Sequence, residues 1–496
     1  MIILINPNLV VQRSDPFTTG IVYMPIGLAY IAASLRAANI PVKVIDAFAE
    51  QPYQARRNGK FMLLGLNHME VVERIPDDTK AIFVYAINLT NHLSTVEIVS
   101  AVKYSHPNIP VVVVENTQAV TTYALRLVAN EFYNAGADYI LTGESDHSCA
   151  LFAQAVINGR PQAYLRRIDG LGSRDFYNEP ANKIDDLDNL PFPAWDLFPL
   201  QNYWKLRFAH GPQSTKSYLP LLTSRGCPFS CRFCVAPYAN NQKWRSRSAQ
   251  NVVDEIEFFV NKYNVQEFHI EDMNPTVSDQ RIRDICNEIL KRNLKIIWKI
   301  VAGTKVETIK NEETIDLMAK SGCKYISISP ETGSSRLLEL MHKPFDLKHA
   351  LSIIKRMNQA GIYSQACFVL GFPDETDNDR QLTHALVRDL TRWGVDEIAL
   401  FIITPVPGAA IYENFHGFEF LSELNFSPSW RTDYHKLNNF RLHLYTYFLL
   451  WKFIYHPFKI LKQPLNFLRR NFNTKMEMIP YRALVYKYLD LFSKKK

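Results

Sequence analysis

Ser224-Arg-Gly-Cys-Pro-Phe-Ser-Cys-Arg-Phe-Cys-Val235 is the stretch on which the reading of the chain turns. Cys227, Cys231 and Cys234 stand in a C-x3-C-x2-C spacing directly after an apolar run, residues 218–222. A loop this short can curl three thiolates round one face of a cubane iron–sulfur cluster. Such clusters usually take cysteine thiolates, commonly four. Three ligands leave one iron open, and an open metal position is where a small molecule coordinates and reacts. Structural zinc wants four ligands, often in paired knuckles, and no second C-x2-C pair occurs. A disulfide framework is disfavoured because the cysteines are few for the length and odd in number, 7 in 496 residues. The other four, Cys149, Cys286, Cys323 and Cys367, are scattered, and the last three sit in apolar contexts that read as core.

The spacing resembles the signature of the radical S-adenosylmethionine (SAM) enzymes. In that family the amino and carboxylate groups of SAM chelate the open iron, and electron transfer cleaves the cofactor to a 5′-deoxyadenosyl radical. By the same resemblance Phe233, just before the third cysteine, occupies the position of an aromatic that lies near the adenine. Arg225, beside the cysteines, reads either as an anchor for a carboxylate or as a cap of the loop.

Downstream of the loop, strands alternate with helices. Strands are expected at residues 219–224, 267–271, 295–301, 324–329, 363–370 and 397–403. Helices are expected at 248–263, 278–292, 312–321, 347–360 and 378–393. Six such repeats make a partial barrel, whose catalytic groups gather at the carboxyl ends of the strands. The segments there extend the resemblance. Glu271-Asp-Met-Asn274 matches the stretch that holds the SAM ammonium, so Glu271 and Asp272 are candidates for that contact. Ser327-Ile-Ser-Pro-Glu-Thr-Gly-Ser334 resembles S-x-E-(S/T)-G-S, which implies Ser329 and Glu331 near the ribose and carboxylate. Phe368-Val-Leu-Gly-Phe-Pro-Asp-Glu-Thr376 is similar to G-x-P-x-E-T, where Gly371 lets backbone approach the adenine. Thr404-Pro-Val-Pro-Gly408 is a further familiar run. His269 lies inside a strand and reads as packed.

Upstream, residues 1–160 alternate strands (1–6, 42–46, 81–86, 111–115, 139–142) with helices (26–39, 94–104, 121–134, 147–158), the pattern of a parallel sheet covered on both faces. Ligands of such sheets bind at the strands' carboxyl ends, here Asn6-Pro-Asn8, Ile87-Asn-Leu-Thr90, Glu115-Asn-Thr-Gln118 and Gly143-Glu-Ser-Asp146. Tyr23-Met-Pro-Ile-Gly-Leu-Ala-Tyr30 and Thr142-Gly-Glu-Ser145 resemble the cobalamin-binding domains fused ahead of radical SAM domains. That likeness implies a Rossmann-like cobalamin site with Asn8, Asn88, Thr117 and Glu144 on its rim. Two departures stand out. No D-x-H-x-x-G occurs to supply a cobalt-ligating histidine, and the loop that usually reads Gly-Gly-x-His is Glu115-Asn-Thr-Gln118, whose side chains would crowd the ring or hydrogen-bond its amides. The alternative is a relic domain that packs and shapes the site.

The expected organisation is therefore α/β. A Rossmann-like cobalamin-binding domain (1–160) is followed by a linker (161–215), a partial (β/α)6 TIM barrel (216–412) and a basic, aromatic helical C-terminal region (413–496). The linker contains Leu190-Pro-Phe-Pro-Ala-Trp-Asp196, a familiar connector of this subfamily, and residues 203–216 read as an extended surface segment. The resemblance covers roughly residues 1–410.

Apolar residues make up 47% of the chain, enough for sizeable cores. The N-terminus has no basic region ahead of its apolar residues and reads as a strand, not a signal peptide. Unpaired thiols and an oxygen-sensitive cluster suit a reducing cytoplasm. The net charge of +7 is uneven: residues 430–496 hold 14 Lys and Arg against 3 Asp and Glu, leaving 42 basic against 46 acidic elsewhere. Residues 440–461 mix Tyr, Trp and Phe with bases, the composition of helices lying in a membrane interface. Lys452, His456 and Pro457 interrupt the run, which falls short of the ~20 apolar residues needed to span a bilayer. Arg469, Arg470 and residues 494–496 flank it. The tail is expected to cap the barrel with one face and contact the inner face of the cytoplasmic membrane with another. A nucleic-acid role lacks any recognisable module.

The resemblance implies a cobalamin-dependent radical SAM enzyme with a [4Fe–4S] cluster, SAM and cobalamin, fed by an electron donor such as flavodoxin or ferredoxin. It would modify an unactivated carbon by methyl transfer to a hydrophobic (lipid or isoprenoid-like) or natural-product substrate, the alternative being cyclisation or rearrangement without methyl transfer. A methylthiotransferase needs a second cysteine trio near the N-terminus, where only Cys149 stands. A non-catalytic cluster or cobalamin carrier is the remaining reading.

Overall fold

The computed structural model describes residues 1–119, 121–181 and 183–495. Lys496, the last of the basic residues expected to flank the tail, lies outside them.

The first of two six-stranded sheets runs in the order Val42–Asp46, Ile2–Asn6, Ala81–Ala86, Val111–Glu115, Tyr139–Leu141, Leu171–Gly172. All neighbours are parallel except the last pair. Its strands are continuous apolar runs because both faces are covered: Ile2 and Leu4 enter one core, Ile3 and Ile5 the other. The helices Ile26–Ala37, His92–Ser105 and Asp146–Ile157 lie where the sequence pattern puts them. The expected helix 121–134 starts late, as a 3-10 turn Leu125–Val128 followed by Ala129–Ala135. The stretch before it stays extended because the Ala124 amide donates to Pro407 O (2.9 Å), a bond to the other half of the molecule. A small antiparallel sheet of Leu9–Gln12, Phe61–Leu64 and Ala55–Asn58 was not foreseen.

The segment between the halves differs from expectation. Leu171–Gly172 joins the first sheet, and residues 203–216 are not an extended surface stretch. Helix Leu200–Leu206 includes Tyr203, and Tyr203, Phe208, Ala209 and Gln213 are buried. The reason is polar as well as apolar. The Tyr203 hydroxyl donates to Asp46 Oδ2 (2.7 Å), and the Trp204 indole N–H donates to Tyr218 O (2.7 Å).

The second sheet takes its strands in chain order, all parallel: Leu219–Leu221, Glu267–Ile270, Ile297–Thr304, Cys323–Glu331, Tyr363–Leu370 and Glu397–Ile402. Between them stand Ala249–Tyr263, Asp279–Lys291, Glu312–Lys320, Leu347–Gln359 and Asp377–Arg392. Four of these five helices begin on a side-chain cap: Ser248, Ser278, Asp346 and Thr376 accept from the amides of Asn251, Arg281, His349 and Asp379. Such caps satisfy amides that have no carbonyl within the helix.

The C-terminal region is helical. Tyr434–Tyr455 packs on the sixth strand, and Lys475–Phe492 runs back to the first layer, where the Tyr486 hydroxyl donates to Gly20 O (2.7 Å). One core of buried side chains is continuous through both sheets and these helices. Among the described residues no helix is long and apolar enough to cross a membrane.

Candidate active site

The segments singled out by sequence all follow, or end, parallel strands of the second sheet, so they share one rim. The cysteine loop leaves the first strand, Glu271 and Asp272 follow the second, and Lys305, which the sequence reading did not single out, follows the third. Glu331 ends the fourth, Gly371 follows the fifth, and residues 404–408 follow the sixth. Glu331 holds φ at +64°, a left-handed conformation that non-glycine residues adopt at a cost and that clusters at functional sites.

The cysteine loop grows from a two-stranded antiparallel ribbon, Ser224–Arg225 against Arg245–Ser246. Buried Asp272 fixes its root. Its carboxylate accepts from the Thr223 amide (2.7 Å), the Thr223 hydroxyl (2.6 Å) and the Ser224 hydroxyl (2.5 Å). Asp272 is therefore occupied with the loop itself. Its neighbour Glu271 is bonded to His210 Nδ1 at 2.6 Å, and the His210 ring lies 4.6 Å from that of Tyr23.

Cys227, Cys231 and Cys234 are half-buried free thiols. Burial pushes all three up, Cys234 to about 12, and the thiols are near enough to influence one another's ionisation. The Ala236 amide points at Cys234 Sγ (3.4 Å). Lys343 pairs with Glu331 and lies 5.8 Å from the Phe233 ring centroid, while Lys305 lies 4.8 Å from that of Phe229. Burial opposes the charge of Lys343, yet Glu331 and Cys231 hold it protonated, above the usual lysine range. Among the described residues no three His, Cys, Asp or Glu side chains converge on one metal-ion position. A cubane binds each thiolate to a different iron, and three thiols on one short loop with nearby cations and an amide aimed at sulfur fit that donor pattern. Phe233 packs with Leu337, Met341, Val369, Phe372, Ile403 and Ile411, an apolar floor beside the loop. The carboxylate of Glu331 is taken by Lys343, and Ser329 sits against Gly303, where a Cβ would meet its Oγ at 2.0 Å. At Gly371 (φ +76°) the amide donates to Glu375 (2.8 Å) and the carbonyl accepts from Arg431 (3.0 Å), and a Cβ would lie 2.5 Å from Leu437. The close approach that needs glycine here is therefore by Arg431 and Leu437.

The rim of the first sheet is closed by its own polar groups. Asn8 Nδ2 donates to Leu64 O and Leu66 O, and Asn88 Oδ1 accepts from the Asn91 amide. Thr117 accepts from Gln118 Nε2. Glu115 neither crowds a slot nor faces outward, because its carboxylate accepts from the Leu125 and Gly143 amides, both at 2.7 Å. Asn116 Nδ2 donates to Ile87 O (2.8 Å). Glu144 turns to the second half and receives Arg245 Nη1 at 2.9 Å. What this rim leaves for a corrin is limited: a recess lined by Asn6, Tyr23, Phe48, Ile87 and Asn88, where the buried Asn6 Oδ1 has no hydrogen-bond partner among the described residues.

The ion pairs that join the two layers were, apart from Arg225, missed by sequence reasoning. Arg225 donates to Asp146 through both terminal nitrogens (2.7 and 3.1 Å) and lies 5.3 Å from the Tyr30 ring centroid, so it anchors a carboxylate of the protein itself. Arg247 pairs with Glu255 and donates to the Tyr30 hydroxyl (3.2 Å), which in turn donates to Glu255 (3.3 Å). Only Arg225 carried a signal, its place next to Cys227. His269 is packed as expected, fully buried and stacked on Tyr218.

Comparison with known proteins bears on the same residues. The sequence profile of the radical SAM superfamily matches residues 221–387. The chain is 26% identical over 411 residues to an uncharacterized methyltransferase of Pyrococcus horikoshii, covering 82% of this chain and 81% of the relative. It is 26% identical over 448 residues to cytidylyl-2-hydroxyethylphosphonate methyltransferase of Streptomyces wedmorensis, covering 83% and 80%. With anaerobic magnesium-protoporphyrin IX monomethyl ester cyclase of Rubrivivax gelatinosus it shares 27% identity over 286 residues, 56% of this chain and 48% of the relative. Its fold matches the radical SAM methyltransferase TsrM from Kitasatospora setae, solved with cobalamin and a [4Fe-4S] cluster bound, at TM-score 0.61 and 16% identity over 83% of this chain and 73% of that one. It also matches the cobalamin-dependent SAM radical enzyme OxsB at TM-score 0.61 and 18% identity, covering 90% and 56%. Residues 221–387 thus carry the radical SAM signature, and the fold as a whole is that of the TsrM and OxsB structures.

Proposed function

We propose that the protein is a cobalamin-dependent radical SAM methyltransferase acting on an unactivated carbon of a hydrophobic small molecule or lipid. In this reading the first sheet is a Rossmann-like cobalamin layer, the second an incomplete (β/α)6 barrel, and the C-terminal helices a cap over it. When bound, the cluster and SAM would supply a radical that takes a hydrogen atom from the substrate carbon, and cobalamin would supply the methyl group. The chain's own part is to hold and orient. Cys227, Cys231 and Cys234 ligate the cluster. Phe233 and the apolar side chains round it give the adenine a dry surface. Glu271, with His210, offers a carboxylate to the SAM ammonium. Ser329 and Glu331 face the ribose and carboxylate, and Lys343 keeps a positive charge beside the anionic cluster. Asp272 is a positioning residue, since its three hydrogen bonds fix the root of the loop. Asn8, Asn88, Thr117 and Glu144 now read as fasteners of the cobalamin rim. Small electron-donor proteins such as flavodoxin or ferredoxin would supply the reducing equivalent.

The observation that carries this reading is the buried Arg225–Asp146 bridge, which ties the cysteine loop to the carboxyl edge of the first sheet. A radical generated at one rim then has its methyl source in the adjoining layer. The test is anaerobic purification with cobalamin, followed by absorption spectroscopy and assay of 5′-deoxyadenosine with a strong reductant. The expected result is a corrin band beside the cluster absorbance, and SAM cleavage that Cys231→Ala abolishes together with the cluster. An intact cluster that yields no 5′-deoxyadenosine would leave a non-catalytic carrier. The Rubrivivax relative supports a second reading, cyclisation without methyl transfer, which predicts 5′-deoxyadenosine but no methylated product.

A further inference from the structure

Residues 434–476 contain eight Lys and Arg and no Asp or Glu. They form helix Tyr434–Tyr455 and, after His456, the short helices Pro457–Leu461 and Gln463–Arg469. In the long helix Leu437, Arg441, Leu444, Phe448 and Lys452 are buried, spaced three or four residues apart. That periodicity assigns one face to the protein core. A helix with water on its other side carries polar residues there. Here the outward side holds Leu450, Phe453 and Ile454, 52%, 56% and 60% exposed, and the next two helices add Phe458 (77%), Leu461 (64%) and Leu468 (77%). Scattered exposed leucines are ordinary, but a run of large apolar side chains along consecutive helices marks an interaction surface.

We propose that this face beds into the interfacial region of an anionic lipid bilayer, lying along it without crossing. Charge decides between occupants. Lys452 and Lys459 are used inside the protein by Asp396, and Lys436 pairs with Asp377. Lys462 and Arg469, by contrast, stand exposed on the short helices that carry Phe458, Leu461 and Leu468. A second copy presenting the same face would bring bases against bases with no acid in the whole segment to meet them. A sheet of anionic headgroups over acyl chains complements both features at once. The helices are anchored from behind, so little ordering is needed on docking: the Lys452 ammonium is buried against Asp396 O, and the Tyr445 hydroxyl accepts from the Leu400 amide (3.0 Å). Docking would open the cap side of the molecule to an apolar substrate, but the surface argument stands independently of the chemistry proposed above.

The test is flotation of the full chain, purified anaerobically, with vesicles of phosphatidylcholine alone or mixed with phosphatidylglycerol. The expected result is binding to the anionic vesicles that falls with added salt. The triple variant Leu450→Ser, Phe453→Ser, Phe458→Ser should lose binding at least tenfold. Lys462→Gln with Arg469→Gln should weaken it by roughly fivefold per charge and flatten the salt dependence. Both variants should keep the thermal midpoint and the SAM cleavage of the parent, which separates loss of the surface from loss of the fold or of the proposed chemistry. The proposal is overturned if the parent fails to float with anionic vesicles, or if the apolar variant floats equally well. It is equally overturned if light scattering shows a dimer that the serine substitutions dissolve while vesicle binding is absent.

Discussion

Glu115 is a buried carboxyl whose two oxygens serve two different backbone amides, those of Leu125 and Gly143. Burial pushes it up from 4.5 to about 7, against the pull of those two donors. A carboxyl with a raised folded-state value binds its proton more tightly folded than unfolded. Its contribution to stability is therefore present below about pH 4.5 and lost as the pH rises to about 7, on the order of 3 kcal/mol in full. Glu115→Gln should abolish that slope in thermal melts between pH 5 and 8. It should also cost about 1–3 kcal/mol below pH 5, because an amide nitrogen would face one of the two N–H donors. Gly371 gives a second expectation. With φ at +76° and Leu437 within 2.5 Å of where a Cβ would stand, Gly371→Ala should lower the thermal midpoint, with a cost of at least about 1 kcal/mol. At this scale sequence was a partial guide. The three cysteines and Phe233 were singled out by their spacing, and the structure puts them on one loop over an apolar floor. Asp272 and Gly371 were found for a different reason from the one that holds them: a motif shows that a carboxylate or a glycine is needed, not which neighbour needs it. Glu115 looked like an obstacle in a slot because nothing local reveals that amides ten and twenty-eight residues away turn towards it.

Among elements, the antiparallel ribbon around the cysteine loop is the joint of the molecule. Arg225 and Arg245 on its two strands, and Arg247 just beyond, reach Asp146, Glu144 and Glu255. Removing one member of a buried ion pair strands the other, which typically costs 3–5 kcal/mol. Arg225→Ala should show a loss of that size by denaturant unfolding. Arg225→Lys should recover less than half, since a point ammonium cannot reproduce the two-pronged contact with Asp146. The parallel strands and most helices were legible because apolar periodicity and caps are local. The linker was misread because Tyr203 and Trp204 are buried through partners at Asp46 and Tyr218, which no local pattern announces.

For the whole molecule, the C-terminal helices are structural as well as peripheral. Leu437, Leu444, Phe448 and Tyr486 are each at most 2% exposed. Burial of each such side chain contributes about 1.5–3 kcal/mol, so together they rival the 5–15 kcal/mol by which a typical domain is stable. Deleting residues 434–496 should therefore yield protein that aggregates on expression, judged by the soluble fraction and by size-exclusion chromatography. The sequence composition marked this tail as unusual but could not apportion its faces, because aromatic and basic residues serve a core and a lipid surface equally well.

The helix Lys475–Phe492 meets residues near the start of the chain: Tyr486 reaches Gly20, and Asp490 pairs with Arg13 and Arg57. A polypeptide leaves the ribosome N-terminal side first, so this clasp emerges well after the layer it fastens. Until residues 475–492 emerge, the earlier-made layer lacks this fastening, and a bulky prosthetic group has a wider passage into the nascent protein during that interval.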